Sequence, residues 1–346
     1  MNIVRYKRIP FVISSILFLT SVILLFTIGL KPGIDFTGGS LVEVTFMNER
    51  PSIEDVRESL AHLQLGEVQV QPTGEDAMII RTRFITETEH QGMLETLRTA
   101  FFIFAPDAGA TPEKPRTEDG SIPVNFDDTD GVVELVMGED GEISMTDVVP
   151  LTLSVREERI ETVGPSISEN LKERTWEITL IVLLSIILYI AYAFRKVSKP
   201  VSSWKFGVTA VIALIHDVMV TVGVFVLLGH FFGIEVNIPF VVAILTILGY
   251  SVNDTIVVFD RIRENLIKIG YSKFELVINK GVSETLVRSL GTSCTTLIVL
   301  FALFFFGGET IKYFALALIV GIGFGTYSSI FLASPLLVVW EKLGKK

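Results

Sequence analysis

Six apolar stretches near the length of a bilayer crossing, which needs about 17–25 residues, dominate this chain of 346 residues. They cover residues 9–30, 178–194, 206–228, 238–259, 290–306 and 314–340. Backbone N–H and C=O groups in hydrocarbon must be satisfied within the segment, and an isolated apolar segment does this only as a helix. The chain therefore reads as an α-helical membrane protein with six transmembrane helices. The last stretch is long enough to tilt or to carry a break. The first is too long for a removed signal peptide and lacks the small-residue cleavage site, so it reads as a permanent anchor.

Basic residues set the orientation, because short loops rich in Lys and Arg stay in the cytoplasm. With the N-terminus inside, the inside segments carry sixteen Lys and Arg, while the outside loops 229–237 and 307–313 carry only Lys312. Both termini are then expected in the cytoplasm of a multi-pass protein of the cytoplasmic (inner) membrane. The layout becomes residues 1–30 with the first span, 31–175 as one extracytoplasmic domain, and 176–346 with spans two to six. Trp176, Trp204 and Trp340 fall at span edges, where amphipathic rings settle at headgroup level.

Between spans one and two the periodicity changes. Residues 41–47, 67–70, 77–83 and 153–162 read as strands, and 52–64 and 86–104 as helices, the first opening on Ser52 with Asp55 at the capping-box position. The order βαββαβ predicts an α/β, ferredoxin-like sandwich. Residues 105–150 interrupt it with twelve Asp and Glu against Lys114 and Arg116, whereas the rest of the chain balances at 27 acids and 27 bases. Two readings stay open for this stretch, a flexible insertion or an extra hairpin through 132–137. Its Pro, Gly and Asp content favours the mobile insertion.

The chemistry is sought inside the spans. A charge at the bilayer centre costs roughly 2.5–3.5 kcal/mol, so ionisable residues there are usually functional. Asp217 lies eleven residues into span three, about 16 Å at the helical rise, with His216 before it. Asp254 lies in span four, in the run Gly249-Tyr250-Ser251-Val252-Asn253-Asp254. A carboxyl group in this setting is a candidate to load and release a proton. A hydrogen bond that merely ties helices together is the plainer alternative for both acids, and packing the plainer one for His216. Arg288 opens span five, with Thr292, Thr295 and Thr296 following at helical spacing, a stripe suited to a wetted path or a carboxylate partner. An ordinary interfacial arginine is the competing reading.

Other features carry less. Gly321 and Gly325 form a Gly-x-x-x-Gly pair in span six, a sign of close helix approach. The run 260–265 reads as a charged, solvated connector. The run 33–39, Gly-Ile-Asp-Phe-Thr-Gly-Gly, is a Gly-rich turn into a strand and not a phosphate cradle, since no Lys follows. Cys294 is the only cysteine, and none of the four histidines has ligand spacing with another, so neither a disulfide nor a metal or cofactor site is expected. Nothing supports enzymatic activity or nucleic-acid binding.

Taken together, these residues resemble the SecD/SecF family, membrane subunits that assist the bacterial Sec protein translocase and are related to the RND superfamily. The likeness rests on the 33–39 motif, Val163-Gly164-Pro165, His216-Asp217, residues 249–254 running into 260–265, Arg288 through Thr296, and Gly307-Gly308. It implies an RND-like half, paired with SecD beside the SecYEG channel, handling a preprotein and driven by the proton gradient. On the matching positions it implies that Asp254 is the principal proton carrier, Arg288 its charge partner and Asp217 a second transmembrane acid, with Asn253 beside the carrier. Two other functions stay open: half of an RND-type exporter of small molecules or lipids, and an assembly scaffold without proton coupling.

Overall fold

The computed structural model describes residues 4, 6–47, 50–101, 135–137, 143–145, 155–193, 203–270 and 273–343. They divide into two compact units, Met1–Phe36 with Asn170–Lys346, and Thr37–Glu169.

In the first unit, helix α1 (Arg8–Thr27) is followed by the single turn α2 (Ile34–Thr37). In the second, strand β1 (Gly39–Phe46), helix α3 (Ile53–Leu60), strands β2 (Gln69–Thr73) and β3 (Ala77–Thr82), helix α4 (Glu87–Ala100) and strand β6 (Val155–Val163) build one antiparallel sheet covered by two helices. The strand order β2-β3-β1-β6 is that of a ferredoxin-like sandwich. Alternation places Val42, Val44 and Phe46 of β1 and Met78 and Ile80 of β3 on one face, against Val56 and Leu60 of α3 and Met93, Leu94 and Leu97 of α4. Each such side chain, fully buried, contributes about 1.5–3 kcal/mol. β1 pairs Val42 with Ile80 and Val44 with Met78, and its register with β6 shifts between Glu43 and Val44. Gly39 is required where β1 begins. Its φ is +126°, and a Cβ there would stand 2.6 Å from the Thr82 carbonyl oxygen.

Three expectations shift. Strand β2 runs on through Pro72, which an edge strand tolerates because proline has no N–H to offer a further neighbour. The acidic stretch contains a short hairpin, β4 (Leu135–Met137) paired with β5 (Ile143–Met145), where the composition favoured a mobile insertion. Its remaining residues lie outside those described, as do 102–104 and 153–154. The full capping box forms at α4 rather than at α3: Thr86 accepts from the Glu89 N–H while Glu89 accepts from the Thr86 N–H at 2.8 Å. At α3, the Ser52 hydroxyl accepts from the Asp55 N–H.

The first unit gathers α1 with α5 (Pro165–Ala193), α6 (Ser203–Phe232), α7 (Ile238–Ile269), α8 (Phe274–Phe306), α9 (Glu309–Ser328), a π-helical turn (Ser329–Ala333) and α10 (Ser334–Leu343). Among the described residues six helical segments are long and apolar enough to cross a membrane. The helices run further than hydropathy indicated: α7 continues past residue 259 to Ile269, and α8 begins at Phe274, well before Leu290. Hydropathy marks where a helix enters lipid, not where it ends. The break in span six is the π turn, directly before Pro335, which cannot donate to an i−4 carbonyl. α9 packs against α6, α7 and α8 and forms the centre of the bundle. α5 is the least buried of the spanning helices described, followed by α1. Most of its surface is left for lipid or a partner.

The segment after α1 closes on the turn before α7. The Gly33 N–H donates to the Val236 carbonyl at 2.7 Å, the Val236 N–H to the Lys31 carbonyl at 2.8 Å, and the Ile238 N–H to Asp35 Oδ2 at 2.8 Å. Asn237 caps the same helix by accepting from Phe240 N. Two carboxamide and carboxylate oxygens thus satisfy donors that a helix start leaves open.

The α4 box also sets a pH response. Arg83 and the Thr86 N–H and hydroxyl pull the Glu89 carboxyl down to about 2. Its folded value lies below the ordinary 4.5, so its contribution is complete above that pH and is lost as pH falls toward about 2. Glu89→Gln is expected to lower the thermal midpoint for protease resistance of the α/β unit at neutral pH. Its difference from the native chain should close on acidification through that window.

Candidate functional site

Two helices bring hydroxyls to a carboxyl group carried on a third. Asp217, on α6, is 0% exposed. Its Oδ2 accepts from the hydroxyls of Ser251 on α7 at 2.6 Å and of Ser328 at the end of α9 at 2.7 Å, and its Oδ1 lies 3.0 Å from His216 Nδ1. Both oxygens are engaged, and the pairing spans α6, α7 and α9. Close approach makes this possible: a Cβ on Gly321 would overlap the Ile247 side chain, and one on Gly325 would stand 3.2 Å from Ser251 Cβ. The Gly-x-x-x-Gly pair of span six is therefore a contact within this chain, against α7.

Asp254, 6% exposed, is a further buried acid, one turn further along α7 than Tyr250; Glu341 of α10, 7% exposed, is the third among the described residues. Ser289 of α8 and Ser329 of the π turn flank its carboxyl group. Ser329 is already engaged, bonding with Thr255 at 2.9 Å and donating to the Gly325 carbonyl at 2.9 Å. Asp254 Oδ2 and Ser289 Oγ are both buried, and neither has a protein partner in hydrogen-bond geometry. Such open polar atoms are rare in a folded interior and call for an explanation. The contrast with Asp217 is the main feature of the site.

The other sequence candidates are placed as follows. His216 is buried beside Asp217, with its Nε2 buried and unpartnered. Asn253 is exposed. Arg288 is exposed and makes no ion pair among the described residues, whereas its neighbour Ser289 is 1% exposed and faces Asp254. A helix turns 100° per residue, so the two point to different sides. Thr292, Thr295 and Thr296 return their hydroxyls to carbonyls one turn back, at 2.9–3.1 Å. Among the described residues no group of three His, Cys, Asp or Glu is placed to hold a metal ion.

Sequence reasoning missed the hydroxyl partners Thr255, Ser289, Ser293, Thr326, Ser328 and Ser329. Ser293 Oγ bonds Thr326 Oγ1 at 2.5 Å and accepts from Tyr250 Oη at 3.3 Å. The available signal was Thr326-Tyr327-Ser328-Ser329 in mid-span, shortly before Pro335. The connector expected at 260–265 is in fact continuous with α7 and clamped to α8. Arg261 donates to Glu284 at 2.7 Å, and the buried Asn265 donates to the same oxygen at 2.7 Å.

Six spans, a ferredoxin-like unit after the first and buried acids in the third and fourth make this an RND-like half of a membrane transport system. Residues 145–343 match the family model for protein export membrane protein SecD/SecF, C-terminal, and residues 23–46 match the SecD/SecF GG motif. The protein translocase subunit SecF of Thermobaculum terrenum is 39% identical over 98% of this chain and 94% of its own length. That of Desulfurispirillum indicum is 39% identical over 97% and 93%. A crystal structure of SecDF, a translocon-associated membrane protein from Thermus thermophilus, superposes with a TM-score of 0.72 at 28% identity and covers 99% of this chain. This chain spans 39% of that longer one. The chain belongs to the SecD/SecF family.

The Asp217 cluster predicts a stability effect. Ser251→Ala and Ser328→Ala each remove one donor from a buried carboxyl group, a loss of about 1–3 kcal/mol. Each variant in detergent should therefore unfold at a lower temperature than the native chain. The double variant should lose more than the sum, because both donors serve one oxygen and only their joint removal leaves it without one.

Proposed function

We propose that this chain is a non-enzymatic, proton-driven accessory subunit of the Sec protein translocase that promotes preprotein export across the cytoplasmic membrane. The family assignment and the names of its relatives support the translocase role over a small-molecule exporter. The partner is a SecD-type second half, for which the longer SecDF chain is the model, and the two work beside SecYEG on an emerging preprotein. The excess of Lys and Arg on one side of the spans supports cytoplasmic termini and an extracytoplasmic α/β unit.

The observation that carries the proton-driven part is the open Oδ2 of Asp254, buried in mid-helix. A carboxyl oxygen outside a closed network gains or loses a proton without first breaking one. Asp217, with both oxygens engaged, holds helices together in this reading. Movement of one charge through the membrane potential supplies about 2.3 kcal/mol per 100 mV, enough to bias a small conformational equilibrium. No cofactor takes part; the proton gradient is the energy source.

Asp254→Asn keeps the shape and removes the titration. With SecD and SecYEG in sealed vesicles, the variant is expected to release preprotein at the rate the native system shows once an ionophore has collapsed the gradient. Full, ionophore-sensitive release by the variant would defeat proton coupling and leave the assembly scaffold.

A further inference from the structure

Helices α7 and α8 run antiparallel and meet in rungs one turn apart. At the level of Gly281 the backbones nearly touch, since a Cβ there would stand 2.8 Å from the Ile262 side chain. Two turns further along, Asp254 faces Ser289. One turn beyond, Tyr250 Oη donates to Ser293 Oγ, which also bonds Thr326. Tyr250 and Asp254 are four residues apart on α7, as are Ser289 and Ser293 on α8, so each pair shares a face of its helix. The Tyr250–Ser293 rung is closed. The Asp254–Ser289 rung is open, with one unpartnered buried oxygen on each side.

We infer that Ser289 is the group on span five through which Asp254 exchanges its proton. This rests on the reading of Asp254 as proton carrier. On loading, Ser289 Oγ accepts a proton originating in solvent and passes its own to Asp254 Oδ2; the serine ends unchanged and the carboxylate becomes the neutral acid. Discharge runs the same two transfers backwards. The closed rung at Tyr250 and Ser293 fixes the spacing of the two helices, so rotation of the Ser289 side chain suffices to make the bond. The titratable and charged groups on the packed helices have other positions. His216 and Asp217 engage one another together with Ser251 and Ser328, Tyr250 is committed to Ser293, Glu284 is bound by Arg261 and Asn265, and Arg288 is exposed. Among the described residues none of them bonds the Asp254 carboxyl group.

Infrared difference spectroscopy on the full chain in lipid, titrated over pH, tests this. The carboxylic-acid C=O band lost in Asp254→Asn belongs to Asp254. In Ser289→Ala that band should shift in frequency, and its titration midpoint should move by about one pH unit, the scale of one hydrogen bond to a charged group. Ser289→Thr, which keeps the hydroxyl, should restore both. Ser185→Ala, an exposed serine of α5 bonded to its own helix, should change neither. An Asp254 band unaltered in Ser289→Ala overturns the assignment of Ser289 and leaves Asp254 as carrier. Absence of any Asp254 band at all pH values overturns both. Should Ser289→Ala fail to elute as the native chain does, Ser289→Cys, close in volume and a weak donor, carries the same comparison.

Discussion

A polar atom inside hydrocarbon finds its partner within the bundle or remains open, and this condition shapes the membrane unit. Asp217 meets it by drawing on two other helices. Because Ser251 and Ser328 reach the same oxygen, α7 and α9 cannot slide along α6 by even one residue without leaving a buried carboxyl group short of a donor. The small residues follow from that requirement. Gly321 and Gly325 bring α9 close enough to α7 for short hydroxyls to span the gap, and bulkier side chains would hold the helices apart.

Asp217 and Asp254 differ in their hydrogen-bond partners rather than in burial. Asp217 sits in a network that uses its hydrogen-bonding capacity in a fixed geometry, which specifies one arrangement of helices. Asp254 is nearly as buried, yet its neighbours are engaged elsewhere or open. Ser329, the nearest hydroxyl on the π turn, is already committed to Thr255 and Gly325. In the proposed reading, a structural tie and a responsive group thus lie close together in one bundle.

What the sequence made legible was whatever depends on periodicity or on transfer from water. Six apolar runs yielded six spans, and the βαββαβ alternation yielded the sheet order, since both signals are summed over many residues. Contacts set by single positions stayed hidden. Arg288 and Ser289 are adjacent in sequence, and only the helix phase decides which one faces Asp254; a charged residue draws attention and a serine does not. Serines and threonines in apolar helices usually bond back to their own carbonyls, as Thr292 and Thr295 do, so the few that cross between helices carry no mark of their own. Helix ends were displaced for a related reason. The 260–269 and 274–289 segments are polar because they leave the lipid, yet they remain helical because Arg261, Asn265 and Glu284 hold them together.

That clamp bears on where the bundle is able to yield. α7 is held at one end by Asp35 and Asn237 and at the other by the pairing of Arg261 and Asn265 with Glu284, and α8 shares the second restraint. Single exposed ion pairs contribute little, about 0–1 kcal/mol, but here a buried amide shares the same carboxylate and the backbones touch at Gly281. α9 differs. Beside Asp254 its hydrogen-bond ladder widens into the π turn, and the Ser334 hydroxyl donates to the Ser329 carbonyl five residues back at 2.9 Å. A π turn returns to α geometry by releasing one residue, at lower cost than breaking a regular helix. Residue Ser329 opens that turn and flanks the Asp254 carboxyl group. In the proposed cycle a change of charge on Asp254 acts beside the π turn of the central helix, while the helix that carries the acid is held at both ends.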